Sequence, residues 1–446
     1  MDDSMLSEVE MLLNRRDWQS LRHILTAQPP PEVADLLLQL ERPKNALAFR
    51  AMPRQFSANV FSYLEPKDKD ALLQELTNEE TRQLLEDMRP DDRTELLEEM
   101  PGQVTQRLLN VLSPSDLREA RWLLGYPDES VGRLMTPDYV AVRPDWTVSR
   151  AMDHVRARGR DSETINVIYV TDSSWRLTGI LGLRQLILAD PSQIIDEVMN
   201  PKAVSLSAFE DREEAVRDMQ RYDIPILPVV DSDGVMLGIV TADDVLDVAE
   251  EETTEDFQKV AAVEPLDTSY GDASATDLFK KRIIWLLALV LVSLASSGII
   301  AAFEETLASA IALAFFIPLL IGSGGNTGSQ SATLMIRALA TGDVEPSLWG
   351  KAIARELLVG LSLGLTMGAA SWLLGLFRGG FEIGVVVGLT MALIVLLTDL
   401  IGAALPYLLT RMGLDPAVAS SPLIASLADA MGLLIYFTVA RLILNI

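Results

Sequence analysis

PLLIGSGGNTGSQSATLMIRALATGD, residues 318–343, lies in an apolar span, 306–336, and decides how the rest of the chain is read. The span exceeds the ~20 residues that cross a bilayer. Its middle nevertheless carries four glycines, Asn326, Gln330 and a row of hydroxyls. Pro318 cannot donate to the carbonyl of Ala314, and Gly322, Gly324, Gly325 and Gly328 leave the backbone bare to a partner helix or an ion. Gly322, Asn326 and Gln330 recur every four residues and share one face. Helix packing is the plain reading of the glycines.

The last apolar span, 414–444, repeats the pattern, with Pro422, Ala425, Asp429, Gly432 and Tyr436 on one side of a helix. A carboxylate there costs ~2.5–3.5 kcal/mol on insertion scales, so Asp429 is expected to face water or a partner and not lipid.

Working outward, nearly everything beyond Ile283 is apolar, in five spans near 284–303, 306–336, 352–376, 381–409 and 414–444. Lys280, Lys281 and Arg282 precede the first span, Arg337, Lys351 and Arg355 separate the second from the third, and Arg411 follows the fourth. By the positive-inside rule the N-terminal part is cytoplasmic, and five crossings put the C-terminus outside. No apolar run follows the acidic start MDDSMLSEVE, so no cleavable signal is expected.

Of the net charge of -26, the residues up to Ile283 carry -23. Such a surface repels nucleic acid and anionic lipid and attracts cations. There are no cysteines, and both histidines, His23 and His154, lie in the charged half. Thiolate chemistry and disulfides are excluded. The apolar half offers oxygen ligands only, which suit a hard cation such as Mg²⁺. Enzyme chemistry finds no support: GSGGNTGS lacks the lysine of a phosphate-binding loop, and the apolar half has no histidine.

In the charged half, Leu64-Glu65-Pro66, Met88-Arg89-Pro90 and Leu112-Ser113-Pro114 recur at a spacing of 24, with Glu41-Arg42-Pro43 one residue out of phase. This predicts stacked helix pairs, each second helix opened by a proline. Met135-Thr136-Pro137 and Met199-Asn200-Pro201 each open a second repeat of roughly sixty residues, helix then strand-turn-strand-helix. VIYVTD (167–172) with TGILGLRQLI matches ILPVVD (226–231) with LGIVTADDVL. An acidic helix-like run, Asp244 to Asp256, leads on toward Lys280-Lys281-Arg282.

The second repeat resembles a pair of CBS domains, modules that often bind adenine nucleotides. Its first copy carries Gln185 where a ribose-binding acid would sit, so adenine nucleotide is expected to bind weakly or not at all. Together with the glycine-rich motif and Ser426-Leu427-Ala428-Asp429, the domain order resembles the MgtE family of Mg²⁺ channels along essentially the whole chain. The fold implied is multidomain. It comprises a cytoplasmic all-α helical-repeat domain (1–130), an α/β CBS pair (131–195 and 196–255), a connecting helix (256–282) and a five-helix transmembrane domain (283–446).

The resemblance implies a homodimer in the cytoplasmic (inner) membrane, with Mg²⁺ as permeant and regulatory ion. Asp429 would hold a largely hydrated Mg²⁺, and Gly322, Asn326, Ala425 and Gly432 would line the path. Ser421 stands where the family favours Asn. Cytosolic Mg²⁺ would close the pore by bridging acidic faces. The candidate ligands are Asp91, Asp92 and Glu95 in the helical domain and Asp211, Glu213 and Asp223 in the second CBS copy. Beyond it come Asp244, Asp247, Glu252, Glu255 and Asp256, with Asp415 at the cytoplasmic start of the last span. A proton-coupled carrier titrating Asp399 and Asp429 is the alternative.

Overall fold

The computed structural model describes residues 3–266, 270–271, 273–344 and 349–445, and the chain divides into two compact units, Met1–Ala249 and Glu250–Ile446. The first begins with helices α1 (Asp3–Arg15), α2 (Trp18–Thr26), α3 (Pro30–Gln39), α4 (Arg42–Ala51), α5 (Arg54–Ser62), α6 (Pro66–Glu75), α7 (Asn78–Asp87), α8 (Pro90–Glu99), α9 (Gly102–Val111) and α10 (Pro114–Leu123). Pro66, Pro90 and Pro114 stand first in α6, α8 and α10, where the missing N–H costs nothing. Thr77 and Glu80 close a reciprocal capping box on α7. One leucine-rich core runs through the stack from Val9 to Ala120.

Two like-built halves follow. α11 (Val131–Leu134), β1 (Ala141–Val142), α12 (Val148–Arg158), β2 (Val167–Thr171), β3 (Leu177–Gly182) and α13 (Leu183–Leu188) make the first. α14 (Ile195–Val198), β4 (Leu206–Ser207), α15 (Arg212–Tyr222), β5 (Ile226–Val230), β6 (Met236–Thr241) and α16 (Ala242–Val260) make the second. In each sheet the central strand pairs parallel to the short strand and antiparallel to its hairpin partner. The halves trade backbone bonds: Thr136 pairs with Ile239, and Asn200 with Ile180. This explains the Gly-Ile of each repeat, since a β-carbon on Gly238 would meet the Thr136 carbonyl at 2.6 Å and one on Gly179 the Asn200 carbonyl at 2.8 Å.

In the second unit α17 (Ala275–Ala302), α18 (Glu304–Ser309), a 3₁₀ turn (Ile311–Phe316), α19 (Ile317–Ala340), α20 (Trp349–Arg411), a 3₁₀ turn (Pro416–Val418) and α21 (Ser421–Leu444) follow the last turns of α16. Two sequence expectations need revision. Residues 256–282 are not one connecting helix: α16 ends at Val260, Ala262 takes a positive φ of 57°, and α17 starts at Ala275. The expected five spans appear as four long apolar helices among the described residues.

The count differs because the third and fourth expected spans join at a sharp bend and read as one element of 63 residues, α20. A straight helix of that length would be ~95 Å long, three times the ~30 Å hydrocarbon core. Gly380, at φ 85° and ψ -175°, is non-helical, and the helix folds back there into two arms. A β-carbon on Gly375 would lie 2.7 Å from Gly384 Cα, and one on Gly368 2.8 Å from the Gly388 carbonyl. The arms therefore run antiparallel in close backbone contact.

Candidate functional site

Three of the four motif glycines serve packing. A β-carbon on Gly324 would stand 2.5 Å from Ile394 of the second α20 arm, one on Gly328 2.8 Å from Ile424, and one on Gly325 3.3 Å from Ala425 of α21. The fourth, Gly322, has open space beside it, and Gly322, Asn326 and Gln330 are all exposed, on one stripe of α19. The hydroxyls between them hold the helix in place. Ser329 Oγ donates to the Ser421 carbonyl at 3.2 Å, and Ser331 Oγ to the Asp399 carbonyl at 2.8 Å.

On α21, which packs along α19, Asp429 is half-buried and no hydrogen bond or ion pair to its carboxylate is found among the described residues. Ala425, one turn away, is half-buried against Gly325. The rest of the expected polar side turns inward. Gly432 is buried, and a β-carbon on it would lie 3.3 Å from Ile394; Tyr436 is buried, its hydroxyl donating to the Leu313 carbonyl at 2.9 Å. Asp399 is 3% exposed, and its Oδ2 has no hydrogen-bond partner among the described residues.

The regulatory candidates separate. Asp91, Asp92 and Glu95 lie on α8, with Asp91 buried and Glu95 exposed. Burial raises Asp91 well above the usual carboxylate range, and the charges of Asp244 and Asp92 add to it. Asp244, at the start of α16, is pushed up to about 7 by burial, against the hydrogen bond from Thr241 and with the charge of Asp243. These carboxylates share one acidic pocket with Glu163, which Arg89 of the same stretch pairs at 2.7 Å. Sequence reading missed Glu163 and Asp243. Glu163 sits in a loop with no motif around it, and only the fold brings it to α8.

Asp211, Glu213 and Asp223 have local work instead. Asp211 caps α15 by accepting from Glu213 N at 2.9 Å, Glu213 pairs with Arg217 at 2.7 Å, and Asp223 ends the helix at φ 53°. Asp247 is exposed and Glu252 half-exposed on α16. In the second unit Glu255 and Asp415 both hold Lys259, and Asp256 is raised by burial and by the charge of Asp415. Among the described residues no three acidic side chains converge into a ready metal site.

Three sequence patterns match the chain: the divalent cation transporter pattern MgtE over 317–439, the MgtE intracellular N domain over 28–129, and CBS domains over 131–192 and 195–251. The magnesium transporter MgtE of Thermus thermophilus is 41% identical over the full length of both chains. This chain belongs to the MgtE family. The MgtE of Bacillus subtilis is 35% identical over 71% of this chain and 70% of its own. Among solved structures, the cytosolic domain of an Mg²⁺ channel MgtE in complex with ATP is 37% identical, with a TM-score of 0.52 over 55% of this chain and 99% of its own. The soluble part of a magnesium transporter matches at 26% identity with a TM-score of 0.53 over 56% of this chain and 98% of its own. MgtE relatives are transporters and not enzymes, and the family's apolar C-terminal helices make this a multi-pass membrane protein.

Proposed function

We propose that the chain is a homodimeric Mg²⁺ channel for magnesium uptake, closed when cytosolic Mg²⁺ binds its acidic cytoplasmic faces. The observation that carries the reading is the combination of an open Gly322-Asn326-Gln330 stripe on α19 with a half-buried Asp429 on the adjoining α21 whose carboxylate has no partner among the described residues. A carboxylate that has no protein partner inside an apolar segment is suited to a cation that keeps several waters, as Mg²⁺ does. Asp429 holds the hydrated ion. Gly322, Asn326 and Ala425 line the path, and Gly432 supports it by letting α21 approach Ile394. The two arms of α20 each cross the bilayer, giving five crossings with the N-terminus cytoplasmic and the C-terminus outside.

Closure follows from charge. Asp91 and Asp244 repel each other without a divalent ion, and an ion that binds the closed arrangement better shifts the population toward it by its differential affinity. The test is Asp429→Ala in liposomes: divalent flux should vanish while the dimer still assembles, and Asp399→Asn should do less. Wild-type uptake by a folded Asp429→Ala protein removes the pore assignment. The orphaned Asp399 favours one second reading, a proton-coupled carrier. Flux that follows an imposed pH gradient would support it.

A further inference from the structure

Two of the candidate regulatory acids, Glu255 and Asp415, already share a cation. Lys259 Nζ donates to Asp415 Oδ2 at 2.7 Å and also pairs with Glu255, one turn back on α16. The other oxygen of Asp415 accepts from Ala417 N at 2.7 Å, so the carboxylate is held at the turn that leads into α21. The next residue, Val260, packs against an apolar cluster built from Ala332 and Ile336 of α19, Ala417 and Ala419 of the turn before α21, and Ile424 of α21. Past the helix end, Glu264 N donates to the Lys281 carbonyl at 2.9 Å and Leu266 N to Gln258 Oε1 at 2.8 Å, so the segment is fastened to α17 as well.

We infer that Lys259 is a built-in clamp cation, which docks the end of α16 on the inner ends of α19 and α21 without any divalent ion. This deepens the channel reading, since it takes those ends to be the cytoplasmic mouth. Two carboxylates, Glu255 and Asp415, pair with this one ammonium, Asp256 feels its charge, and Arg337 contributes the second positive charge near Asp256. All of the partners keep partial contact with water: Lys259, Asp415 and Glu255 are 28%, 34% and 24% exposed. The clamp is therefore releasable by salt or by a competing ion and is not a permanent weld. A divalent ion entering this cluster has to displace the lysine, so Mg²⁺ dependence of closure falls to the Asp91–Asp244 pocket, where no lysine among the described residues pairs with either acid.

The experiment uses the full-length chain, whose lack of cysteine allows one engineered pair, Val260→Cys with Ile336→Cys, joined by a short bis-maleimide. With Lys259 present, cross-linking in EDTA should equal that in millimolar Mg²⁺. Lys259→Met should lower the docked-to-undocked ratio in EDTA by about fivefold, the scale of a half-exposed ion pair. Added Mg²⁺, now free to take the carboxylates, should restore it. The exchange of Lys259→Asp with Asp415→Lys should dock in EDTA without Mg²⁺. Loss of the cross-link in EDTA with Lys259 intact overturns the clamp, as does undiminished cross-linking by Lys259→Met. So does an exchanged pair that folds, by gel filtration, but stays undocked. Cross-linking reads the clamp whether or not ions pass, whereas the pore assignment stands or falls on Asp429→Ala flux.

Discussion

A β-carbon on Gly360, in the first arm of α20, would lie 2.8 Å from Oδ2 of Asp399 in the second. The buried carboxyl occupies the space left by the absent side chain. Gly360→Ala should therefore overpack the hairpin and cost about 1–3 kcal/mol. Thermal unfolding of the purified protein in detergent measures it, and Asp399→Ala in the same chain should recover most of the loss because the two positions share one space.

Glycine-to-alanine changes along α19 should separate packing from the path. Gly324→Ala meets Ile394 at 2.5 Å and Gly328→Ala meets Ile424 at 2.8 Å, so both should destabilise the protein. Gly322→Ala meets nothing within 4 Å and should leave the melting temperature unchanged while lowering flux. Unaltered flux in Gly322→Ala would take that residue off the path.

The acidic pocket predicts a pH dependence for the isolated first unit. Asp244 is held up at about 7 and Asp91 is raised in the same direction. An ordinary aspartate titrates near ~3.9 when unfolded. Between these limits the folded state binds more protons, so its stability is greatest at the acid end and is lost as pH rises through about 7. Unfolding by urea across pH 5 to 8 should show this decline, on the order of the window those pKa values define. Millimolar Mg²⁺ should flatten it by replacing the protons. Glu80 acts oppositely, since Arg50 holds it down at about 2 and its contribution is lost as pH falls toward that value.

Much of this organisation is legible in the sequence. Proline is favoured first in a helix and disfavoured inside one, and Pro66, Pro90 and Pro114 mark real helix starts. The paired Gly-Ile signatures mark real strand crossings. The break at Ala262 was not legible, because an alanine with positive φ carries no local signal and the preceding run reads as continuous helix. Nor does spacing alone tell Gly322, which faces open space, from Gly324, Gly325 and Gly328, which face neighbours. The same limit applies to the acids: Asp211 and Asp223 are short polar residues at helix ends, and capping claims them first.

Adenine nucleotide provides a further test. The Gln185 side-chain oxygen accepts from Gly182 N at 3.0 Å, capping α13 where an acid would meet a ribose. Calorimetry with ATP on residues 135–255 should show weak binding or none. Gln185→Asp should tighten it by about tenfold, the scale of one hydrogen bond to a charged group. Tight binding by the unaltered segment contradicts the expectation.

Ser329 and Ser331 stand two residues apart on α19, so their hydroxyls leave the helix about 200° apart around its axis. One reaches Ser421 at the head of α21 and the other reaches Asp399 on the second arm of α20. Turning α19 about its own axis in either direction would break both bonds at once. α19 is thereby keyed like a shaft in its bearing. Any widening beside the glycine stripe has to come from tilting α19 and its neighbours as one body, and not from rolling the stripe out of view.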